Sequence, residues 1–229
     1  MRIEGLEQYY GGKNGAGVYQ AIINQIPPHT TYIEPFLGSG AIMRNKRLAQ
    51  FNIGIEIDKR VIDLWRTANP KHIELIHGDS LKVLASRVHE GAFTYCDTPY
   101  PLMSRQTKRK TYRYEMDEAQ QIEFLEMIVA LPGLVCVSSY RNPLYDDYLK
   151  GWRTVEFTAQ TRKGTATEIL YMNYPEPTAL HDYSYWGKDK RHRQDFRKKI
   201  AGYQRKLSKL SPIERNGIIA ALSSPVDAN

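Results

Sequence analysis

The chain has 229 residues, 41% hydrophobic and 25% charged, with a net charge of +7. That length suits one α/β domain with an appendage, and neither an apolar run of membrane-spanning length nor the apolar core of a secretory signal is present, so a cytoplasmic protein is expected. The positive charge points to a polyanionic partner, and residues 181–229 hold eleven Lys/Arg against five Asp/Glu, or +6 of the total.

Short apolar, β-rich runs alternate with helical patterns, the signature of a mostly parallel sheet flanked by helices. Strands are expected at about 31–36 (TYIEPF), 52–57 (NIGIEI), 72–77 (HIELIH), 92–97 (AFTYCD) and 133–139 (GLVCVSS). A last pair near 153–158 and 168–174 flanks a polar loop with Lys163-Gly164, a hairpin signal that makes the final strand antiparallel. The clearest helix covers 117–131: Asp117 and Gln120 form a capping-box pattern, and Ile122, Leu125, Ile128 and Val129 make an apolar stripe. Cys96 and Cys136 fall inside strands and read as small core hydrophobes, and the six histidines lack ligand spacing, so no metal is expected. In the tail, Phe196, Ile200, Tyr203, Leu207 and Leu210 recur at steps of 4, 3, 4 and 3, the seam of an amphipathic helix. Ser211-Pro212-Ile213-Glu214 then opens a second helix to about Leu222. The expected organisation is an α/β domain over 1–178 and a basic helical extension over 179–229.

Glu34-Pro35-Phe36-Leu37-Gly38-Ser39-Gly40 closes the first strand and opens a helix, and its glycines let the backbone approach a ligand. A dinucleotide site wants a third glycine three residues after Gly40, where Met43 stands; S-adenosylmethionine, which has no pyrophosphate, does without it. The second strand ends in Glu56-Ile57-Asp58, a carboxylate for ribose hydroxyls, and the third in Gly78-Asp79, an acceptor for an adenine amine. Strand-end carboxylates also cap helices, but acids at three successive strand ends favour a ligand.

The fourth strand runs into Asp97-Thr98-Pro99-Tyr100. An adenine N6 lone pair is delocalised into the ring, and acceptors on its two hydrogens localise it for attack on a methyl sulfonium. The Asp97 carboxylate offers one acceptor and the Thr98 carbonyl the other, with Pro99 stiffening that peptide. Tyr100 offers a face on which an extruded base can stack.

With these motifs in order, the sequence resembles the D12 class of DNA adenine N6-methyltransferases, which includes bacterial and phage adenine methylases. Tyr9-Tyr10-Gly11-Gly12-Lys13 is similar to the N-terminal motif of that class, Glu34 to Gly40 to its glycine motif, and Asp97 to Tyr100 to its D-P-P-Y motif. Its ending appears as Glu168-Ile169-Leu170-Tyr171-Met172-Asn173-Tyr174, so the resemblance spans roughly residues 7–175. The resemblance implies a Rossmann-like S-adenosylmethionine-dependent methyltransferase fold, with a mostly parallel seven-stranded sheet and an antiparallel last strand. It further implies that Tyr10 and Lys13 line the methionine side of the cofactor, Phe36 packs against it, Glu56 takes the ribose and Asp79 meets the adenine. Two departures stand out. Thr98 replaces a proline, and only 56 positions separate Gly40 from Asp97, too few for the target-recognition region that family members usually insert there.

Nucleic-acid contacts therefore fall to two basic stretches. Residues 105–114 hold Arg105, Lys108, Arg109, Lys110 and Arg113 with Tyr112 and Tyr114, beside the base pocket. Residues 186–210 carry ten Lys/Arg, among them Lys190, Arg191, Arg193, Arg197 and Lys198, against Asp189 and Asp195. The apolar seam of that helix suits docking or a homodimer. Phosphate contacts carry little sequence information, so a short or relaxed recognition sequence in DNA is expected. The alternatives are an RNA adenine N6-methyltransferase and a catalytically silent nucleic-acid-binding protein with this fold; Met43 and the antiparallel last strand disfavour a nicotinamide-dependent oxidoreductase.

Overall fold

The computed structural model describes residues 3–6, 11–15, 17–105, 111–161 and 164–223. The chain divides into two units, Met1–Tyr183 and Ser184–Asn229.

In the first unit, strands β1 (Thr31–Glu34), β2 (Phe51–Glu56), β3 (Glu74–His77), β4 (Ala92–Cys96), β5 (Leu134–Ser139), β6 (Arg153–Thr161) and β7 (Gly164–Met172) form one sheet. Its order is β3-β2-β1-β4-β5-β7-β6. The first five strands run parallel, and β7 runs antiparallel to both β5 and β6. The second strand of the final pair, not the first, lies against β5, and the first forms the sheet edge. Strands β1 and β4 are buried throughout, as expected of parallel strands covered on both faces. That is why they read as continuous apolar runs instead of alternating ones.

The helices of this unit are α1 (Val18–Ile23), α2 (Ala41–Asn45), α3 (Lys59–Thr67), α4 (Ser80–Val83), α5 (Glu118–Ala130) and α6 (Pro143–Tyr148). The capping box of α5 is formed: the Asp117 side chain accepts from the Gln120 amide, and Gln120 accepts from the Asp117 amide. Its buried face differs from the expected stripe. Gln121, Phe124, Leu125 and Ile128 are buried, while Val129 is 51% exposed. These four positions keep the i, i+3, i+4, i+7 spacing of one helix face. The polar Gln121 belongs to that face because both ends of its amide are hydrogen-bonded inside the core, which no hydrophobic count reveals.

The first unit continues past residue 178. His181 stacks on His29 with ring centroids 3.9 Å apart, and Asp182 accepts from the Arg47 amide at 2.8 Å. In the second unit, α7 (Lys190–Leu207) is capped by Asp189, which accepts from the His192 amide. Trp186 packs against Phe196, with centroids 4.5 Å apart. Helix α8 (Pro212–Ser223) follows, with Ser211 and Glu214 exchanging hydrogen bonds at its start. No residue of either helix is buried; Ile200 and Tyr203 on the seam are 37% and 55% exposed. Among the described residues, no helix is long and apolar enough to cross a membrane, and no three potential metal ligands cluster.

Sheet order reverses between β1 and β4, which lie side by side in parallel. In open α/β sheets the carboxyl ends of such a pair splay their following loops apart and leave a crevice. The segments that leave β1 and β4 are the glycine loop and Asp97-Thr98-Pro99-Tyr100.

Candidate active site

From Glu34 the chain turns through Pro35–Gly40 into α2. Gly38 and Gly40 take φ of +46° and +57°, in the left-handed region that side chains disfavour. A Cβ on Gly40 would collide with the Trp65 ring, and the Trp65 indole donates to the Gly38 carbonyl at 2.9 Å. At the end of β2, Glu56 accepts from the Gly38 amide and from the Asp58 amide, each at 2.8 Å. Burial pushes its carboxyl above the ordinary glutamate value, against the pull of those two amides. Glu56 thus ties the loop of β1 to the end of β2. Asp79 both caps α4, accepting from the Leu81 amide at 3.1 Å, and faces the crevice.

Lys13, Glu34, Pro35, Phe36, Gly38, Gly40, Glu56, Asp79 and Asp97 all line one cavity of about 210 Å³. Tyr10 lies outside the described residues. Within this set Glu34 points inward: its Oε2 accepts from the Tyr32 hydroxyl and the Met43 amide, both at 3.0 Å. Burial drives its carboxyl up to about 8, with those donors acting in the opposite direction. The far wall of the cavity is Tyr112–Met116 and Gln120. Glu115, Met116 and Gln120 carry no local ligand motif, so spacing and composition do not single them out.

Asp97 sits at the mouth of β4 with one oxygen anchored. Its Oδ1 accepts from Lys13 Nζ at 2.7 Å and from the Ser138 hydroxyl at 2.9 Å. Among the described residues, none donates to Oδ2. Lys13 is 5% exposed and also donates to the Tyr100 hydroxyl at 2.8 Å, with Glu168 Oε2 3.4 Å away. Burial works against its charge, but the Asp97 and Glu168 carboxylates outweigh it and hold the ammonium above the ordinary lysine range. The cluster joins the N-terminal loop, β4, β5 and β7. Ser138 is not legible as part of the site in the sequence, because its role depends on β5 lying next to β4.

Tyr100 is 4% exposed. Its hydroxyl donates to Glu168 at 2.8 Å, and its ring meets Tyr140 edge-on at 4.8 Å. The open stacking platform expected of Tyr100 is therefore absent in this state, because the ring is packed in the core and the phenol serves the charge cluster. Thr98 is buried, with its hydroxyl 3.1 Å from that of Tyr145. The Pro99 carbonyl accepts from Gln121 Nε2 at 2.8 Å, and among the described residues none donates to the Thr98 carbonyl.

The first residue of the basic loop is not the phosphate ligand that the sequence suggests. Arg105 forms a two-pronged pair with Glu115, at 2.9 and 2.5 Å, and its Nε donates to the Tyr100 carbonyl at 2.7 Å. Its guanidinium also lies over the Tyr112 ring, 4.8 Å from the centroid. With its side chain 6% exposed, Arg105 staples the loop beneath the site and is not presented to phosphates. Tyr112 is turned toward the cavity. Arg113 remains half-exposed at the cavity rim, 3.6 Å from Asp58, while Lys108, Arg109 and Lys110 lie outside the described residues. In the second unit Lys190, Arg191, Arg197 and Lys198 are exposed and Arg193 is half-buried. Arg197 donates to the Ser184 carbonyl and Arg193 to that of Gly187.

No protein-family model matches the chain, and no curated protein matches it. Solved structures do. The N-methyltransferase NodS from Bradyrhizobium japonicum WM9, in complex with S-adenosyl-L-homocysteine, aligns with a TM-score of 0.51 at 12% identity, covering 74% of this chain and 91% of that one. An rRNA methylase from Streptococcus thermophilus aligns at 0.46 and 10% identity, over 70% and 97%. A dimethyladenosine transferase from Plasmodium falciparum gives 0.44 and 13%, over 68% and 60%. The sheet has the Rossmann-like methyltransferase fold. At these identities the likeness is one of architecture alone. In a methyltransferase fold the crevice between the ends of β1 and β4 places the glycine loop, Glu56 and Asp79 on one side and Asp97 on the other.

Proposed function

We propose that this chain transfers the methyl group of S-adenosylmethionine to the N6 amine of adenine in DNA, as a D12-like enzyme. The observation that carries the reading is Asp97: one carboxylate oxygen is pinned by Lys13 and Ser138, and the other is left to the crevice it shares with the glycine loop.

The cavity fits that cofactor. Gly38 and Gly40, both at positive φ, line the cavity without side chains, Glu56 and Asp79 supply acceptors for ribose and adenine, and Phe36 gives an apolar wall. S-adenosylmethionine, when bound, supplies an electrophilic methyl sulfonium. The residues do the rest. Asp97 Oδ2 and the Thr98 carbonyl accept the two N6 hydrogens, which draws the lone pair out of conjugation and aims it. The Asp97 carboxylate is also placed to take the proton that N6 sheds. The neutral phenol of Tyr100, held there first by burial and then by Asp97 and Glu168, leaves the negative charge on Asp97. Exposed cations of α7 and Arg113 serve the phosphate backbone. With no recognition insert between Gly40 and Asp97, they favour a short target sequence.

The test is incubation of the purified chain with methyl-labelled S-adenosylmethionine and either duplex DNA or structured RNA, followed by nucleoside analysis. N6-methyladenosine formed only in RNA would replace the DNA reading. Loss of label transfer in Asp97→Asn, with cofactor binding kept, is the expected companion result; full activity in that variant overturns the assignment.

A further inference from the structure

The threonine that stands in the Asp97-Thr98-Pro99-Tyr100 turn is wired into a closed hydrogen-bond chain. The Tyr145 hydroxyl donates to Gln121 Oε1 at 2.7 Å. A phenol has one proton, so across the 3.1 Å separation it is the Thr98 hydroxyl that donates to Tyr145. The other end of the Gln121 amide returns to the turn, Nε2 donating to the Pro99 carbonyl at 2.8 Å. Thr98, Gln121 and Tyr145 are each at most 1% exposed. The chain therefore grips both residues that flank one peptide bond, and that peptide's carbonyl is the one on Thr98.

We infer that Tyr145 and Gln121 are positioning residues that lock the Thr98 carbonyl toward the substrate amine, through hydrogen bonds in place of a proline ring. The inference rests on the proposed adenine N6 methyl transfer. A proline at 98 would fix φ covalently, whereas a threonine leaves it free. Here the hydroxyl is held through α6 and the following carbonyl through α5, so the turn has the same few accessible states by a different route. Gln121 occupies an otherwise apolar helix face, and a buried polar side chain there is costly unless both ends are used. Both are.

The test measures steady-state methyl transfer to an adenine-containing DNA duplex, with cofactor affinity followed by calorimetry. Thr98→Val and Tyr145→Phe remove single hydroxyls at almost constant volume. Each is expected to lower kcat about 10- to 100-fold, the scale of a small misplacement of a reacting group, with cofactor affinity unchanged. Thr98→Ser should restore most of the rate lost in Thr98→Val. In a Thr98→Pro background, Tyr145→Phe should cost little, because the ring already does the work. Unchanged kcat in both hydroxyl deletions, or an equal cost of Tyr145→Phe with Thr98 and with Pro at that position, overturns the inference. If the wild-type chain methylates no adenine, the functional reading fails instead. The hydrogen-bond chain is then still read by NMR, as hydroxyl protons of Thr98 and Tyr145 that are both slow to exchange in wild type; fast exchange of either overturns it.

Discussion

Lys13 stands between two carboxylates, Asp97 at 2.7 Å and Glu168 at 3.4 Å, with Lys13 and Glu168 withdrawn from water and Asp97 partly so. Taking away the cation leaves like charges facing each other in a poorly solvated place. Lys13→Met should therefore destabilise the protein by about 3–5 kcal/mol, the range for breaking a buried ion pair from one side, measured by urea unfolding at neutral pH. Glu34 makes stability depend on pH. Its folded-state pKa of about 8 lies above the ordinary 4.5, so between those values the folded chain keeps a proton that the unfolded chain has released. Stability contributed by that proton is present at the acid end of the window and is lost as pH rises through it. Lys46, pushed down to about 7 by burial, runs the other way, adding stability as pH climbs from there toward the ordinary lysine value. The clean quantity is the difference between wild type and Glu34→Gln. The variant should gain on wild type by a few kcal/mol from the acid to the alkaline end of the Glu34 window, as about 1.4 kcal/mol per pKa unit requires; a flat difference contradicts it.

At the scale of elements, α5 is held at its start by a reciprocal cap and along its length by a face containing one glutamine. Asp117→Ala should cost about 1 kcal/mol in chemical denaturation, without changing cofactor affinity. The next staple is Arg105–Glu115. Burial opposes ionisation of Glu115, yet Arg105 and the Tyr112 and Thr111 amides hold its carboxyl below the ordinary range, so the pair closes the loop ends on the cavity wall. These two cases mark how far the sequence can be read. The strands, the α5 cap, the glycine loop and the carboxylates at strand ends are local patterns, each visible in a window of a few residues. Arg105 reads as a phosphate ligand because its acid partner is ten positions away, across a turn. Gln121, Tyr145 and Ser138 carry no local signal at all. Their meaning lies in hydrogen bonds between segments roughly 20 to 50 residues apart, which periodicity does not encode.

For the molecule as a whole, charge is divided between the units. Along α7 and just past its end, Arg191, Lys198, Arg205 and Lys209 fall on the side opposite the Phe196–Ile200–Tyr203–Leu207 seam, by the 3.6-residue period. A row of this kind follows a phosphate backbone without reading bases. Replacing all four by alanine in the full chain should weaken DNA binding similarly for unrelated sequences. It should also reduce the slope of log affinity against log salt by up to about 3–4, near 0.9 for each phosphate left unneutralised. An unchanged slope assigns the row to solvent.

The placement of Glu168 has a consequence for biosynthesis. Among the described residues, the cavity is lined entirely by positions between Gly11 and Gln120, all translated well before the last strands. Strand β6 pairs only with β7, and β7 carries the carboxylate that completes the surroundings of Lys13 and Tyr100. On the ribosome, all of these lining residues are translated before the strand that completes the charge cluster behind Asp97. A chain translated only as far as β6 holds every described residue of the cavity lining but lacks Glu168, the carboxylate that closes the surroundings of Lys13 and Tyr100.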